Sequence, residues 1–137
     1  MLTVNQLAKS SGVPAHVARY YLRIGLIQPA GHRENGYRVF EPRDVSLLKF
    51  VRMAKQLGYT LSEIRKILSH AEHGESPCPD VREIIRHRIE ENRIKIDEMV
   101  KLQSRMEQAL EQWEAMPDGM PDGHSVCHLI ESVVEEP

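Results

Sequence analysis

The chain has 137 residues and 15.7 kDa, enough for one domain or for a small domain plus an appendage, and its 41% apolar and 28% charged residues exclude full disorder and collagen-like classes. No apolar run approaches the roughly 18 residues of a membrane span, Met1 leads into a polar segment, and Cys78 and Cys127 are the only cysteines, so a cytoplasmic protein without a disulfide framework is expected. The net charge of −2 hides a division: residues 1–70 carry eleven Lys/Arg against four Asp/Glu, a balance of +7, and residues 71–137 carry seven against sixteen, a balance of −9. A basic half joined to an acidic half predicts that the first meets a polyanion and the second does not.

In chain order, Thr3 and Gln6 form a capping box that opens a short helix, and Gly12 closes it. Pro14 suits the first turn of a second helix running to about Gly25, which makes Ser11 to Val13 the turn of a helix-turn-helix. Ile27 to Phe40 changes character. Asn35 and Gly36 both tolerate positive φ and signal a hairpin turn, while Tyr37, Val39 and Phe40 favour extended backbone. The reading is a small β-hairpin, a wing beside the helix-turn-helix. Pro42 opens a third helix with Leu47, Val51, Ala54 and Leu57 at helical spacing, ended by Gly58. Thr60 and Glu63 form a second capping box ahead of Ile64, Ile67 and Leu68. Gly74 to Pro79 is a break.

From about Asp80 to Trp113 there is no Gly or Pro. Ile85, Ile89, Asn92, Ile96, Met99, Gln103, Met106, Leu110 and Trp113 alternate four and three apart, the heptad period of a coiled coil. One helix cannot bury this stripe alone, so a homodimer is expected. Met116 to Gly123 repeats Met-Pro-Asp-Gly twice, a compact turn-rich loop. Ser125 is placed to cap a last helix over about Val126 to Val134, with Glu135 to Pro137 frayed. The division is therefore a helix-turn-helix unit with its wing at 1–75, a dimerisation helix at 76–114 and a turn-rich loop with a short terminal helix at 115–137.

A helix-turn-helix sets the early residues of its second helix against base edges. Here those are Ala15, His16 and Arg19, with Arg19 the best donor. Tyr20 and Tyr21 are adjacent and cannot both face inward, so one packs and the other reaches a phosphate. Arg33 and Arg38 flank the hairpin turn and Tyr37 sits at it, all placed for phosphate contacts.

In the acidic half, Cys78 and Cys127 each stand at the start of an expected helix, where the dipole favours the thiolate that a soft metal or an electrophile needs. His124 and His128 flank Cys127, and Asp118 and Asp122 lie in the repeat loop. Cys, His and Asp together suit a tetrahedral Zn²⁺, whereas two thiolates suit softer ions. The proposed ligands are Cys78, Cys127, His124 and Asp118, with His128 and Asp122 as lesser candidates. Two cysteines do not make a four-cysteine iron–sulfur site. No phosphate-cradling glycine loop or nucleophile–base–orienter set argues for an enzyme.

Three segments carry a family resemblance: Val17-Ala-Arg-Tyr-Tyr-Leu-Arg-Ile-Gly-Leu26, Gly36-Tyr-Arg-Val-Phe40 and Leu57-Gly-Tyr-Thr-Leu-Ser-Glu-Ile64. They resemble the MerR family of bacterial transcription regulators, densely over residues 2–70, with departures at Arg23, where Glu is frequent, and Phe40, where Tyr is common. The resemblance implies a mainly α fold: a winged helix-turn-helix, then a dimerisation helix pairing as an antiparallel coiled coil. It implies a homodimer that bends and untwists double-stranded promoter DNA on binding an effector, realigning the elements that RNA polymerase reads. Cys78 matches the cysteine that marks sensors of divalent ions and comes from the partner subunit, and Cys127 matches the distal cysteine of the metal loop. The proximal loop cysteine is missing, and Asp118 lies near its place. The expected effector is a divalent thiophilic ion such as zinc, cadmium, lead or mercury. Two other readings stay open: a thiol switch, in which an oxidant or electrophile modifies Cys78 or Cys127, and an effector-free architectural DNA-binding module.

Overall fold

The computed structural model describes residues 1–135; the fraying expected at Glu136 and Pro137 lies outside them. The chain divides into two compact units, Met1–Ile85 and Arg86–Pro137.

The first unit begins with α1 (Val4–Ser11) and α2 (Ala15–Arg23). The Thr3 hydroxyl accepts from Gln6 N–H, and the Gln6 side chain accepts from Thr3 N–H, so the capping box forms as expected. Gly12 closes α1 in the left-handed region at φ 71°. Pro14 stands one place earlier than expected, as the N-cap of α2 with extended backbone, and α2 ends at Arg23 rather than near Gly25. The wing is β1 (Gly31–His32) antiparallel to β2 (Arg38–Val39), pairing Gly31 with Val39 and His32 with Arg38. Its turn differs from a two-residue Asn-Gly hairpin. Gly36 N–H donates to Arg33 C=O at 2.8 Å, and only Gly36 is left-handed, at φ 84°. Glu34 and Asn35 thus form the turn, and Gly36 follows as the bulge residue that returns the chain to the strand. A pairing invisible in the sequence ties this wing to the start of the chain: Leu2 and Phe40 exchange two backbone hydrogen bonds of 2.8 and 2.7 Å.

α3 (Pro42–Gln56) and α4 (Leu61–Glu72) complete the unit. Pro42 opens α3, where its missing N–H costs no helical bond. The buried face of α3 is Leu48, Val51 and Ala54, not the expected stripe through Leu47 and Leu57. Leu57 caps the helix and is 66% exposed, because the chain turns at Gly58 before that side chain can reach the core. The second capping box forms at Thr60 and Glu63, and Ile64 and Ile67 face inward. Leu7, Ile27, Phe40, Leu48, Val51 and Ile64 are the largest fully buried apolar side chains. Ser11 is buried among them and donates to Leu7 C=O at 2.7 Å, which satisfies its hydroxyl. Truncating one of the leucines to alanine costs about 2–5 kcal/mol in such a site.

The long helix, α5 (Cys78–Glu114), starts two residues before the expected Asp80, with Pro79 in its first turn. Its 37 residues span about 55 Å at roughly 1.5 Å per residue. The heptad stripe lies open along it: Ile89, Ile96, Met99, Met106 and Leu110 are each more than half exposed. In the second unit the Trp113 indole donates to Leu129 C=O at 2.8 Å, which fixes the last turn of α5 on the final segment. That segment holds α6 (His128–Glu131), a single turn rather than the helix expected over 126–134. Ser125 is not its cap. Its hydroxyl donates to the Glu131 carboxylate, which also accepts from Val126 N–H at 3.1 Å, and Cys127 takes the N-cap position with no side-chain cap bond.

Candidate functional site

The expected DNA-facing residues fall on α2 and the wing. Ala15 is half-buried, His16 and Arg19 are exposed, and Arg33, Tyr37 and Arg38 stand exposed on the hairpin. Tyr20 and Tyr21 divide as their adjacency requires. Tyr21 is buried and belongs to the core, and burial first, then the neighbouring Tyr20, pushes its phenol up. This takes Tyr21 off the surface that DNA could meet. Tyr20 is 40% exposed, and the Arg23 guanidinium lies 5.3 Å from its ring centroid, a cation–π contact.

A cavity of about 610 Å³ lies where α2, the wing and the first turn of α1 meet. Thr3, Asn5, Arg19, Arg33, Tyr37 and Arg38 line it. Among the described residues the lining carries three guanidinium groups and no carboxylate. Three fixed positive charges around a concave surface concentrate an anion there. Phosphate is among the anions a planar guanidinium matches, through two parallel N–H donors.

Local chemistry explains how the expected effector residues lie. Cys78 is the first residue of α5, exposed, and its N–H donates to the Ser76 hydroxyl at 3.3 Å. Cys127, His128 and the repeat loop belong to the second unit. Asp122 accepts from the backbone N–H groups of His124 and Ser125, both at 2.9 Å, so its carboxylate shapes the turn. Asp118 and His124 are exposed, and Cys127 and His128 are half-buried. The loop backbone at Gly119 passes close against the His128 ring: a Cβ there would lie 2.3 Å from His128 Nδ1. No sequence signal announces that approach, although a glycine in a turn-rich repeat is the residue it needs. Thiol, imidazole and carboxylate are the donors a thiophilic divalent ion takes. Among the described residues, no three of His, Cys, Asp and Glu are grouped to hold an ion. One copy of the chain therefore holds the donor types without assembling them.

Sequence reasoning also missed a network at the junction of α4 and α5. His70 Nδ1 lies 2.8 Å from the Glu75 carboxylate and Nε2 lies 2.7 Å from that of Asp80, with Lys66 3.6 Å from Asp80. The hydrogen bond with Glu75, then that with Asp80, holds the imidazole pKa above its ordinary value, and the bond from His70 holds the Asp80 carboxyl below its own. Tyr59, buried, donates from its hydroxyl to Val81 C=O at 2.8 Å.

Residues 2–71 match the MerR HTH family regulatory proteins, and residues 45–109 match the MerR DNA-binding family. The chain belongs to the MerR family of transcriptional regulators. It is 33% identical to the mercuric resistance operon regulatory protein of Bacillus cereus over 100 residues, 73% of this chain and 76% of that one. A transcription regulator from Ralstonia metallidurans, solved in complex with lead(II), shares the fold at a TM-score of 0.75. That likeness spans 98% of this chain and 100% of the other, at 23% identity. The dual-function regulator MerR of Bacillus megaterium, solved with mercury(II), aligns at a TM-score of 0.59 and 27% identity, over 96% of this chain and 98% of its own. Members of this MerR family regulate transcription by binding DNA. Among the described residues, no helix is long and apolar enough to cross a membrane.

Proposed function

We propose that this MerR-family chain is a metal-responsive activator that works as a homodimer on promoter DNA. The observation that carries the reading is the arginine-lined, carboxylate-free cradle between α2 and the wing. It supplies the phosphate affinity of a DNA reader. Arg19 is the base-edge or phosphate donor, with Ala15 and His16 beside it in the groove, and Arg33, Tyr37, Arg38 and the exposed Tyr20 hold the backbone.

The open stripe on α5 supports dimerisation, since several apolar side chains more than half exposed on one helix call for a partner. A second copy offers the same stripe, so the segment 76–114 pairs with itself. Residues 115–137 form the effector part. Cys127, Asp118 and His124, with His128 and Asp122 as lesser candidates, provide donors from one copy, and Cys78 of the partner subunit completes the set. The mercuric resistance relative and the mercury-bound neighbour support a divalent thiophilic ion, and the mixed donors favour zinc or a similar ion over an all-thiolate preference. Bending and untwisting promoter DNA costs a few kcal/mol, so the effector must bind the distorting conformation of the dimer more tightly than the other. RNA polymerase then reads the realigned promoter in the cytoplasm.

The test is an anaerobic titration of reduced protein against a competing chelator with Zn²⁺, Cd²⁺, Pb²⁺, Hg²⁺ and Cu⁺. Tight binding lost in both Cys78→Ser and Cys127→Ser supports a shared site. Weak binding that neither substitution changes would overturn the metal reading in favour of a thiol switch.

A further inference from the structure

We infer that Asn5 is a positioning residue for DNA binding: it holds the Arg19 guanidinium in the cradle without neutralising it. Arg19 Nη1 donates to Asn5 Oδ1 at 3.3 Å, a contact between residues 14 apart in the chain. Arg33 and Arg38 line the same cavity. Left alone, three like charges on long side chains repel one another and turn outward into solvent. A carboxylate acceptor would orient Arg19 but cancel the charge that a phosphate needs. A side-chain amide orients it and leaves the charge in place.

The surrounding backbone makes Asn5 a fixed post. It sits in the first turn of α1, between the two partners of the capping box, Thr3 and Gln6. The Leu2–Phe40 pairing ties that turn to the end of the wing strand. The start of α1 therefore sets the wing and the second helix against one cradle, and Asn5 is the side chain that reaches from it to Arg19.

The experiment is a double-mutant cycle on promoter affinity, with full-length protein and promoter duplex at fixed salt. Asn5→Ala weakens binding about fivefold for each copy, about 25-fold for the dimer, the effect of one exposed hydrogen bond per copy, and has no further effect in an Arg19→Ala background. Asn5→Asp separates positioning from helix stability. An acidic residue in the first turn favours the helix, so thermal stability is kept or raised, yet promoter binding falls more than for Asn5→Ala. Three results overturn the inference: an Asn5→Ala effect that persists in full without Arg19, which would place Asn5 on the DNA itself; no effect of Asn5→Ala; or wild-type affinity in Asn5→Asp. Wild-type affinity in Arg19→Ala alone would instead remove Arg19 from the interface and the inference with it.

Discussion

Truncating Ile96 to alanine tests the register of the dimer helix. Ile96 is 63% exposed on the single chain and occupies a seam position of the heptad stripe. The substitution removes three carbon groups, each contributing about 0.8 kcal/mol when buried. With about two-thirds of the side chain open for burial by a partner, the loss is about 1.5 kcal/mol per copy and about 3 kcal/mol per dimer, roughly a hundredfold in the dimer dissociation constant. Ile94 is the matched control. It is 55% exposed, carries the same side chain and lies off the seam. Sedimentation equilibrium over a dilution series should show a weakened Ile96→Ala dimer and an Ile94→Ala dimer within about twofold of wild type. Equal effects of the two substitutions, or none from Ile96→Ala, would refute the seam assignment.

Arg19→Ala and Arg38→Ala should each lower promoter affinity tenfold or more at moderate salt, on the order of 1–3 kcal/mol per side chain, and leave dimerisation unchanged. Each substitution removes two phosphate-binding cations from a homodimer, one per copy, so the slope of log affinity against log salt should also become shallower by about 2. Fluorescence anisotropy across a salt series reads both. Gly12→Ala should destabilise the fold by about 1–2 kcal/mol for the left-handed backbone, while the added Cβ, 2.1 Å from Arg52 Nη1, meets the far end of a flexible side chain that shifts to make room. Urea unfolding should show a lower midpoint at constant slope. For His70 the sign follows from its raised pKa: its contribution is full below its ordinary value of about 6.5 and is lost as pH rises through the higher folded value. The Asp80 contribution runs the other way, present above the ordinary carboxylate range and lost as pH falls through its lowered value. Wild type should therefore exceed His70→Gln in stability most clearly in mildly acidic solution, and the gap should narrow toward alkaline pH. A gap constant with pH would mean that the charged pair does not stabilise the junction.

The elements legible in the sequence are those whose signals are local. Capping boxes at Thr3 and Thr60 couple residues three apart, and the glycines that close α1 and α3 act on one turn, so both kinds of signal survive without tertiary context. The heptad stripe is equally plain because it is periodic. Where burial depends on neighbours distant in the chain, local reading fails. On α3 the fully buried position is Leu48, with Leu47 half-buried against the core, and Leu57 is left exposed where the chain bends away at Gly58. The last helix is short because Ser125 and Val126 bond Glu131 instead of continuing the helix. Charge and motif point to Arg19, Arg33 and Arg38, which line one cradle between α2 and the wing, and adjacency divides the exposed Tyr20 from the buried Tyr21. The Leu2–Phe40 pairing, the Asn5–Arg19 contact and the His70 network link residues 38, 14 and 10 apart. Their residue types carry no signal until the fold brings them together.

Mixed dimers test the shared metal site most directly. Reduced Cys78→Ser and Cys127→Ser proteins, unfolded, mixed and refolded together, form heterodimers in which, if Cys78 of one copy meets Cys127 of the other, one effector site keeps both thiols and the other has neither. A site built from both copies predicts that neither homodimer binds a thiophilic ion tightly and that the purified heterodimer recovers tight binding at half the wild-type stoichiometry. It also predicts that the metal-loaded heterodimer distorts promoter DNA. No recovery in the heterodimer, or wild-type binding by either homodimer, would contradict a metal site shared between two copies of the chain.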